Sequence, residues 1–362
     1  MTSQWPEWMR LNENLKALTP YGAPQIDVPN RLNTNENPYS LRPELQKAII
    51  ESISTKVAHL NRYPDRDATE LRNSLASFIN KRSSTTFGVD NVWAANGSNE
   101  ILQSIALAFD GDALGFEPSY SMHPLISRAV GKNWISVPRK SDFSIDLDGA
   151  LTAIGAKRPG LVFVTTPNNP TGGSTSLEVI TKIAAAARLV NALVVVDEAY
   201  AEFSAQASAV TLIEESPNII VSRTMSKAFA FAGARLGYMI ADSAVIDAML
   251  LIRLPYHLSD LTQAAAIAAL THQDSLLVDV ERISASRNSL ITELQNMGFT
   301  VIPSEANFIL FTGFKKEASE IWRSLVEQGV LIRDVGIPNY LRITVGTESE
   351  NRALIEALGE VN

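Results

Sequence analysis

Three short aliphatic runs constrain this chain more than any other feature: Leu161-Val162-Phe163-Val164, Leu193-Val194-Val195-Val196 and Ile219-Ile220-Val221. None alternates apolar with polar residues, so none reads as a strand with one face in water. Each reads as a strand covered on both faces, as in a largely parallel sheet between helical layers. A helix-length apolar-periodic segment, residues 177–189, separates the first two. The same rhythm begins earlier, where Val92-Trp93-Ala94-Ala95 passes through Asn96-Gly97 into a periodic segment ending near Ala108, and Ala113-Leu114-Gly115-Phe116 opens another strand. Alternating strand, turn and helix predict an α/β fold. A chain of 362 residues has room for two domains and a large buried core.

In open α/β sheets, functional groups gather where strands end at their carboxyl side. Here those ends are conspicuously polar. The run at 161–164 delivers Thr165-Thr166-Pro167-Asn168-Asn169-Pro170-Thr171-Gly172, the run at 193–196 delivers Asp197-Glu198-Ala199-Tyr200, and the run at 219–221 continues to Thr224, Ser226 and Lys227. Lys227, between Ser226 and Ala228 and among apolar neighbours, is poorly solvated. Desolvation lowers an amine's pKa towards the range where it attacks carbonyls. Thr224 and Ser226 offer hydroxyls, and Arg235, eight residues past the lysine, offers a guanidinium that can fork onto two phosphate oxygens. Gly97 turns the chain so that Ser98 and Asn99 sit where the next helix presents unpaired amides, a second anion site.

Taken singly, a lysine after a strand is a surface residue and Gly-Ser-Asn a helix cap. Together they suggest pyridoxal phosphate. Asp197 is suited to pair with a protonated pyridine nitrogen and keep the ring an electron sink, while Asn169 and Tyr200 are placed to donate to a phenolate oxygen.

The net charge of −8, without a basic stripe, argues against a nucleic-acid partner, so an anionic substrate must be drawn by local arginines. No uncharged apolar stretch approaches the ~20 residues that span a bilayer. The N-terminus lacks the order of a signal peptide, and cysteine is absent, so a cytoplasmic location is expected and disulfides and thiolate metal sites are excluded. The four histidines are scattered with no H-x-x-x-H pair, so no catalytic metal is expected.

Residues 1–30 read as an ordered arm rather than a helix, and a helix is expected over about 43–54. A long alanine-rich helix is expected over 259–272. Beyond it, helices at about 276–297, 316–328 and 348–359 alternate with short strands at 300–302, 307–310, 330–332 and 341–345, predicting a small α/β layer domain. Arg333 ends one of these strands and Arg342 lies inside another. An arginine in an apolar strand is costly unless it faces an anion or lies on an exposed edge.

The run 224–233, the octet 165–172 and Arg31-Leu32-Asn33-Thr34-Asn35-Glu36-Asn37-Pro38 resemble the class II pyridoxal-phosphate aminotransferases of fold type I. Tyr21-Gly22-Ala23-Pro24 and the segments 32–38 and 224–237 are similar to the histidinol-phosphate branch of that family, particularly its actinobacterial members. The likeness covers nearly the whole chain. It implies a large cofactor-binding domain with a mainly parallel seven-stranded sheet over residues 46–257, a small domain over 258–362, and an arm with part of the small domain over 1–45.

The resemblance also implies a homodimer with shared sites. In it Tyr120 stacks on the cofactor ring, Tyr63 bonds the cofactor phosphate in the neighbouring subunit, Tyr21 touches substrate, and Arg333 with Arg342 binds the substrate anion. The implied reaction interconverts L-histidinol phosphate and 2-oxoglutarate with imidazole-acetol phosphate and L-glutamate. Aromatic amino acid aminotransferases share most of these motifs, and a decarboxylase of threonine phosphate would keep Lys227, Asp197 and the arginines. Both remain open at this point.

Overall fold

The structure, a computed structural model, describes residues 5, 6, 8–16, 18–20 and 22–361. Among these residues, seven strands form one sheet in the order Val92–Ala95, Gly237–Ile240, Ile219–Thr224, Leu193–Asp197, Leu161–Thr165, Ala113–Glu117, Trp134–Pro138. Neighbours pair in parallel except around Gly237–Ile240, which is antiparallel to both its partners. The continuous apolar runs are explained by two cores, one on each face. Val162, Val164, Val194, Val196 and Val221 enter one, while Leu161, Phe163, Val195 and Ile220 enter the other. With successive residues pointing to opposite faces and both faces covered, no position in these strands is free to be polar until the strand ends.

Two strands of this sheet carry no such signal. Trp134–Pro138 is an edge strand, only partly buried, and Gly237–Ile240 begins on a glycine. That glycine is required by a close approach: a Cβ on Gly237 would lie 2.3 Å from the Ser98 nitrogen and 2.4 Å from the Gly97 carbonyl carbon. The contact seats the antiparallel strand directly against the start of the helix Ser98–Ala108.

The C-terminal third forms an antiparallel sheet in the order Arg333–Asp334, Leu341–Thr344, Phe308–Thr312, Thr300–Val301. The segment 330–334, expected as one strand ending on Arg333, divides. Val330–Leu331 pairs in parallel with Asn30–Arg31, and Arg333–Asp334 joins the four-stranded sheet. An N-terminal strand is thus built into the C-terminal third. The helix Pro43–Val57 runs against Asp260–Thr271, whose alanines allow a close approach; Ser52 Oγ donates to the Ala264 carbonyl at 3.0 Å. Among the described residues of the first thirty, expected to lack helix, there is one short helix, Glu13–Lys16, whose terminal residues pair with each other.

Because backbone at residues 97–98 cannot yield as a flexible side chain can, Gly237→Ala is expected to lower stability by about 1–3 kcal/mol. Urea unfolding measures this, and an unchanged midpoint would contradict the close approach.

Candidate active site

A cavity of about 610 Å³ opens at the carboxyl ends of the central strands. It is lined by Ser98, Asn99, Tyr120, Asn169, Asp197, Tyr200, Thr224, Ser226, Lys227, Arg235, Arg333 and Arg342. Tyr63 lies outside it, 79% exposed and stacked on Tyr256 with ring centroids 4.4 Å apart. Tyr21 falls outside the described residues.

Register brings the central groups together: Asp197 pairs with Thr165 on one side and Ser222 on the other. Asp197 is 2% exposed, and its Oδ2 lies 3.0 Å from His123 Nε2. Its Oδ1 is buried with no hydrogen-bond partner among the described residues. His123 is itself buried, stacked on Phe163 at 4.8 Å and edge-on to Tyr120 at 5.4 Å. In sequence it was one of four scattered histidines. Only the packing of the helix Met122–Ala129 over the sheet places it under Asp197.

The anion cradle forms where Ile219–Thr224 ends opposite the start of Ser98–Ala108. Thr224 Oγ1 donates to Ser226 Oγ at 3.0 Å and accepts from the Ser226 amide at 3.2 Å. Arg235, with φ of 55°, holds a left-handed conformation and reaches Ser226 Oγ at 3.4 Å. Strain of this kind in a residue with a side chain concentrates at functional sites. Gly97 takes φ of 88°, and a Cβ there would stand 2.8 Å from Arg235 Nη2. The glycine therefore leaves the space that the guanidinium uses beside the helix N-terminus. Tyr120 closes this side, its hydroxyl donating to Asn99 Oδ1 at 3.1 Å.

Lys227 Nζ donates to the Thr34 carbonyl at 3.0 Å. Burial, with the like charges of Arg342 and Arg235 against the opposing pull of Glu36, lowers this amine to about 8. At neutral pH a usable fraction is then unprotonated and nucleophilic.

Arg342 is 7% exposed in an interior strand, so the exposed-edge alternative does not hold. It donates to Asn169 Oδ1 at 2.6 Å and to the Asn33 carbonyl at 2.8 Å. Arg333 is paired with it in register on the adjacent strand. Asn169 in turn approaches the Tyr200 hydroxyl at 3.5 Å. Asn168, fully buried, holds this loop by accepting from Ser119 and Arg139 and donating to Thr171. Burial lowers the Arg139 guanidinium to about 10. Neither Asn168 nor Arg139 was marked as functional by its sequence position.

A sheet of this order, with an activated lysine, a carboxylate and an anion cradle at its carboxyl edge, is the fold type I architecture of the aminotransferases. The family model for aminotransferase class I and II matches residues 30–358, and the chain belongs to that family. Its relatives include the histidinol-phosphate aminotransferase of Mycobacterium sp. (strain JLS), 52% identical over 351 residues that cover 96% of this chain and 92% of that protein. The histidinol-phosphate aminotransferase of Mycolicibacterium smegmatis is 51% identical over 97% of this chain and 93% of its own length. Among solved structures, histidinol-phosphate aminotransferase from Sinorhizobium meliloti in complex with pyridoxal-5'-phosphate superimposes with a TM-score of 0.86 at 27% identity over 97% of both chains. L-threonine-O-3-phosphate decarboxylase from Porphyromonas gingivalis shares the fold at a TM-score of 0.76 and 22% identity, covering 91% of this chain and 98% of its own.

The lowered amine yields a prediction about stability. Its folded pKa of about 8 lies below the ~10.4 of an unfolded lysine, so the unfolded chain binds more proton between those values. The resulting penalty on folding is full below pH 8 and fades as pH rises to about 10.4. Lys227→Met, which removes the charge and keeps the stem, should therefore need more urea to unfold at pH 7, with the gap narrowing as pH rises. Parallel unfolding curves without added ligand measure it; a gap independent of pH contradicts the assignment.

Proposed function

We propose that the protein is a pyridoxal-phosphate-dependent aminotransferase that interconverts L-histidinol phosphate and 2-oxoglutarate with imidazole-acetol phosphate and L-glutamate. The observation that carries the cofactor assignment is the buried, unpartnered Oδ1 of Asp197 in the same cavity as the lowered Lys227 amine. A lone buried carboxylate oxygen is expensive unless it meets a charged donor. The hydroxyls of Thr224 and Ser226, Arg235 and the helix N-terminus at Ser98 and Asn99 fit a phosphate monoester. The substrate assignment is supported by relatives at 51–52% identity named histidinol-phosphate aminotransferase.

Bound here, the cofactor supplies an aldehyde that takes up an amino group and a ring that accepts charge from the adjacent carbon. Asp197 holds the proton on the ring nitrogen, and His123, on its other oxygen, orients it. Asn169 and Tyr200 would donate to the phenolic oxygen, and Tyr120 would lie against the ring. Lys227 would anchor the cofactor, and its free amine would move the proton at the substrate carbon that carries nitrogen. Arg342 and Arg333 bind the phosphate of one substrate and the carboxylate of the other.

The working form is a cytoplasmic homodimer. Leu107 and Leu254 are exposed and line a second cleft that shares Asn99 with the catalytic cavity. A second copy over this face would cover them and bring Tyr63 to the neighbouring cofactor phosphate.

Two experiments test these points. A phosphate dianion offers three acceptor oxygens and nearly twice the charge of a carboxylate, and each charge-assisted bond in a dry site is worth roughly 1.5–3 kcal/mol. Arg333→Gln should accordingly cut kcat/KM for histidinol phosphate at least about tenfold more than for glutamate or phenylalanine, whereas Arg342→Gln should damage all three. An enzyme that prefers phenylalanine, or an Arg333→Gln variant that weakens every substrate equally, would favour an aromatic amino acid aminotransferase instead. For the dimer, mixing Tyr63→Phe with Lys227→Ala protomers should leave one intact site per mixed dimer and activity near half of the parent. If Tyr63 serves its own subunit, activity should not exceed half that of the Tyr63→Phe homodimer.

A further inference from the structure

In sequence Asn35 was only part of the segment 31–38, with no role of its own, yet its side chain reaches from the smaller sheet to the catalytic tyrosine. It is 2% exposed, and its amide is used at both ends. Nδ2 donates to the Tyr200 hydroxyl at 2.9 Å, and Oδ1 accepts from Thr344 Oγ1 at 3.1 Å. Its backbone nitrogen donates to the same threonine oxygen at 2.9 Å, and its carbonyl accepts from Asn307 Nδ2 at 3.1 Å. Thr344 lies in the four-stranded sheet, and Tyr200 follows the strand Leu193–Asp197 of the seven-stranded one. Asn35 therefore ties the catalytic tyrosine to the smaller sheet.

Only one residue type meets all these demands. The backbone at this position has φ of 55°, which asparagine tolerates better than other residues with side chains. The two polar ends need a donor on one side and an acceptor on the other, which an amide provides and a carboxylate does not. Asn169 Nδ2 also points at the Tyr200 oxygen, but from 3.5 Å, so Asn35 is the nearer donor. A phenol that accepts from two amides must direct its own hydrogen away from both.

Resting on the pyridoxal-phosphate assignment above, we infer that Asn35 is a positioning residue: by donating to the Tyr200 hydroxyl it sets the direction in which Tyr200 gives its hydrogen to the cofactor's phenolic oxygen. Without that donation the Tyr200 hydroxyl is less firmly oriented, its support for a negative oxygen weakens, and the deprotonated form of the bound cofactor is less favoured. The pH at which the bound cofactor changes colour must then rise.

Two variants separate the amide from the backbone. Asn35→Asp keeps the size and tolerates the left-handed conformation but removes the donor; Asn35→Gly keeps the backbone freedom and removes the side chain. Both should fold, as judged by circular dichroism. In both, the spectroscopic midpoint of the enzyme loaded with pyridoxal phosphate should move up by about half a unit or more. Their kcat should fall about tenfold, less than for loss of a donor that itself touches the reacting group, with KM changing far less. In a Tyr200→Phe background, Asn35→Gly should shift the midpoint no further, and urea unfolding of the cofactor-free proteins should show the two substitutions to be coupled. An unmoved midpoint in both variants, or full additivity with Tyr200→Phe, overturns the role of Asn35 alone. A parent protein that takes up no pyridoxal phosphate overturns the cofactor assignment and this inference with it.

Discussion

A guanidinium buried between two carboxylates holds the catalytic edge of the sheet in place. Arg223 Nη2 lies 2.7 Å from Glu198 Oε2, and its Nη1 lies 2.9 Å from Glu202 Oε1, with all three side chains almost wholly buried. Burial works against the Arg223 charge, but Glu198 and Glu202 outweigh it and hold the group firmly protonated. Glu198 directly follows Asp197, and Arg223 directly precedes Thr224. The ion pair therefore cross-links the two strand ends that carry the ring-nitrogen partner and the phosphate cradle. Removing one member of such a cluster leaves an uncompensated buried charge and costs about 3–5 kcal/mol. The strand ends thus have little freedom to slide, which suits a site where small displacements matter.

The opposite wall comes from the other end of the chain. Residues 33–37 cross the cavity and are held by groups from every side: Arg342 on the Asn33 carbonyl, Lys227 on the Thr34 carbonyl, Asn307 on the Asn35 carbonyl, and Asn37 Nδ2 on the Ala228 carbonyl. Backbone carbonyls in this segment accept what the catalytic cations donate. Parallel pairing of Asn30–Arg31 with Val330–Leu331 anchors the segment just upstream. Any movement of the smaller sheet must carry this strap, Asn35 and Arg342 with it.

Charge is distributed against the average. The chain carries −8 overall, yet Lys227, Arg235, Arg333 and Arg342 converge on one cavity. The local field suits anionic ligands at both ends of the site, and Asp197 and Glu36 keep it from being uniformly basic. Low dielectric sharpens each interaction, which is why the lysine is lowered and the orphaned carboxylate oxygen calls for a partner.

Much of this was legible in the chain itself. The unbroken apolar runs determined strands covered on both faces, since every position in them must be apolar when helices cover the sheet above and below. The polar groups at their ends, Asn169, Asp197, Tyr200 and Lys227, followed from the local pattern of strand, turn and helix. The edge strand Trp134–Pro138 and the antiparallel Gly237–Ile240 were not legible, because the first is only partly buried and the second, though buried on both faces, is a four-residue Gly-Tyr-Met-Ile run rather than an unbroken aliphatic one. The division of 330–334 between two sheets, the seating of His123 beneath Asp197 and the clasp of Asn35 on Tyr200 were decided by tertiary structure alone. Each joins residues 74 or more positions apart, or turns on which distant strand offers free backbone groups. Local propensity carries no information about such partners; they are selected only when two layers pack and a buried donor must find its acceptor.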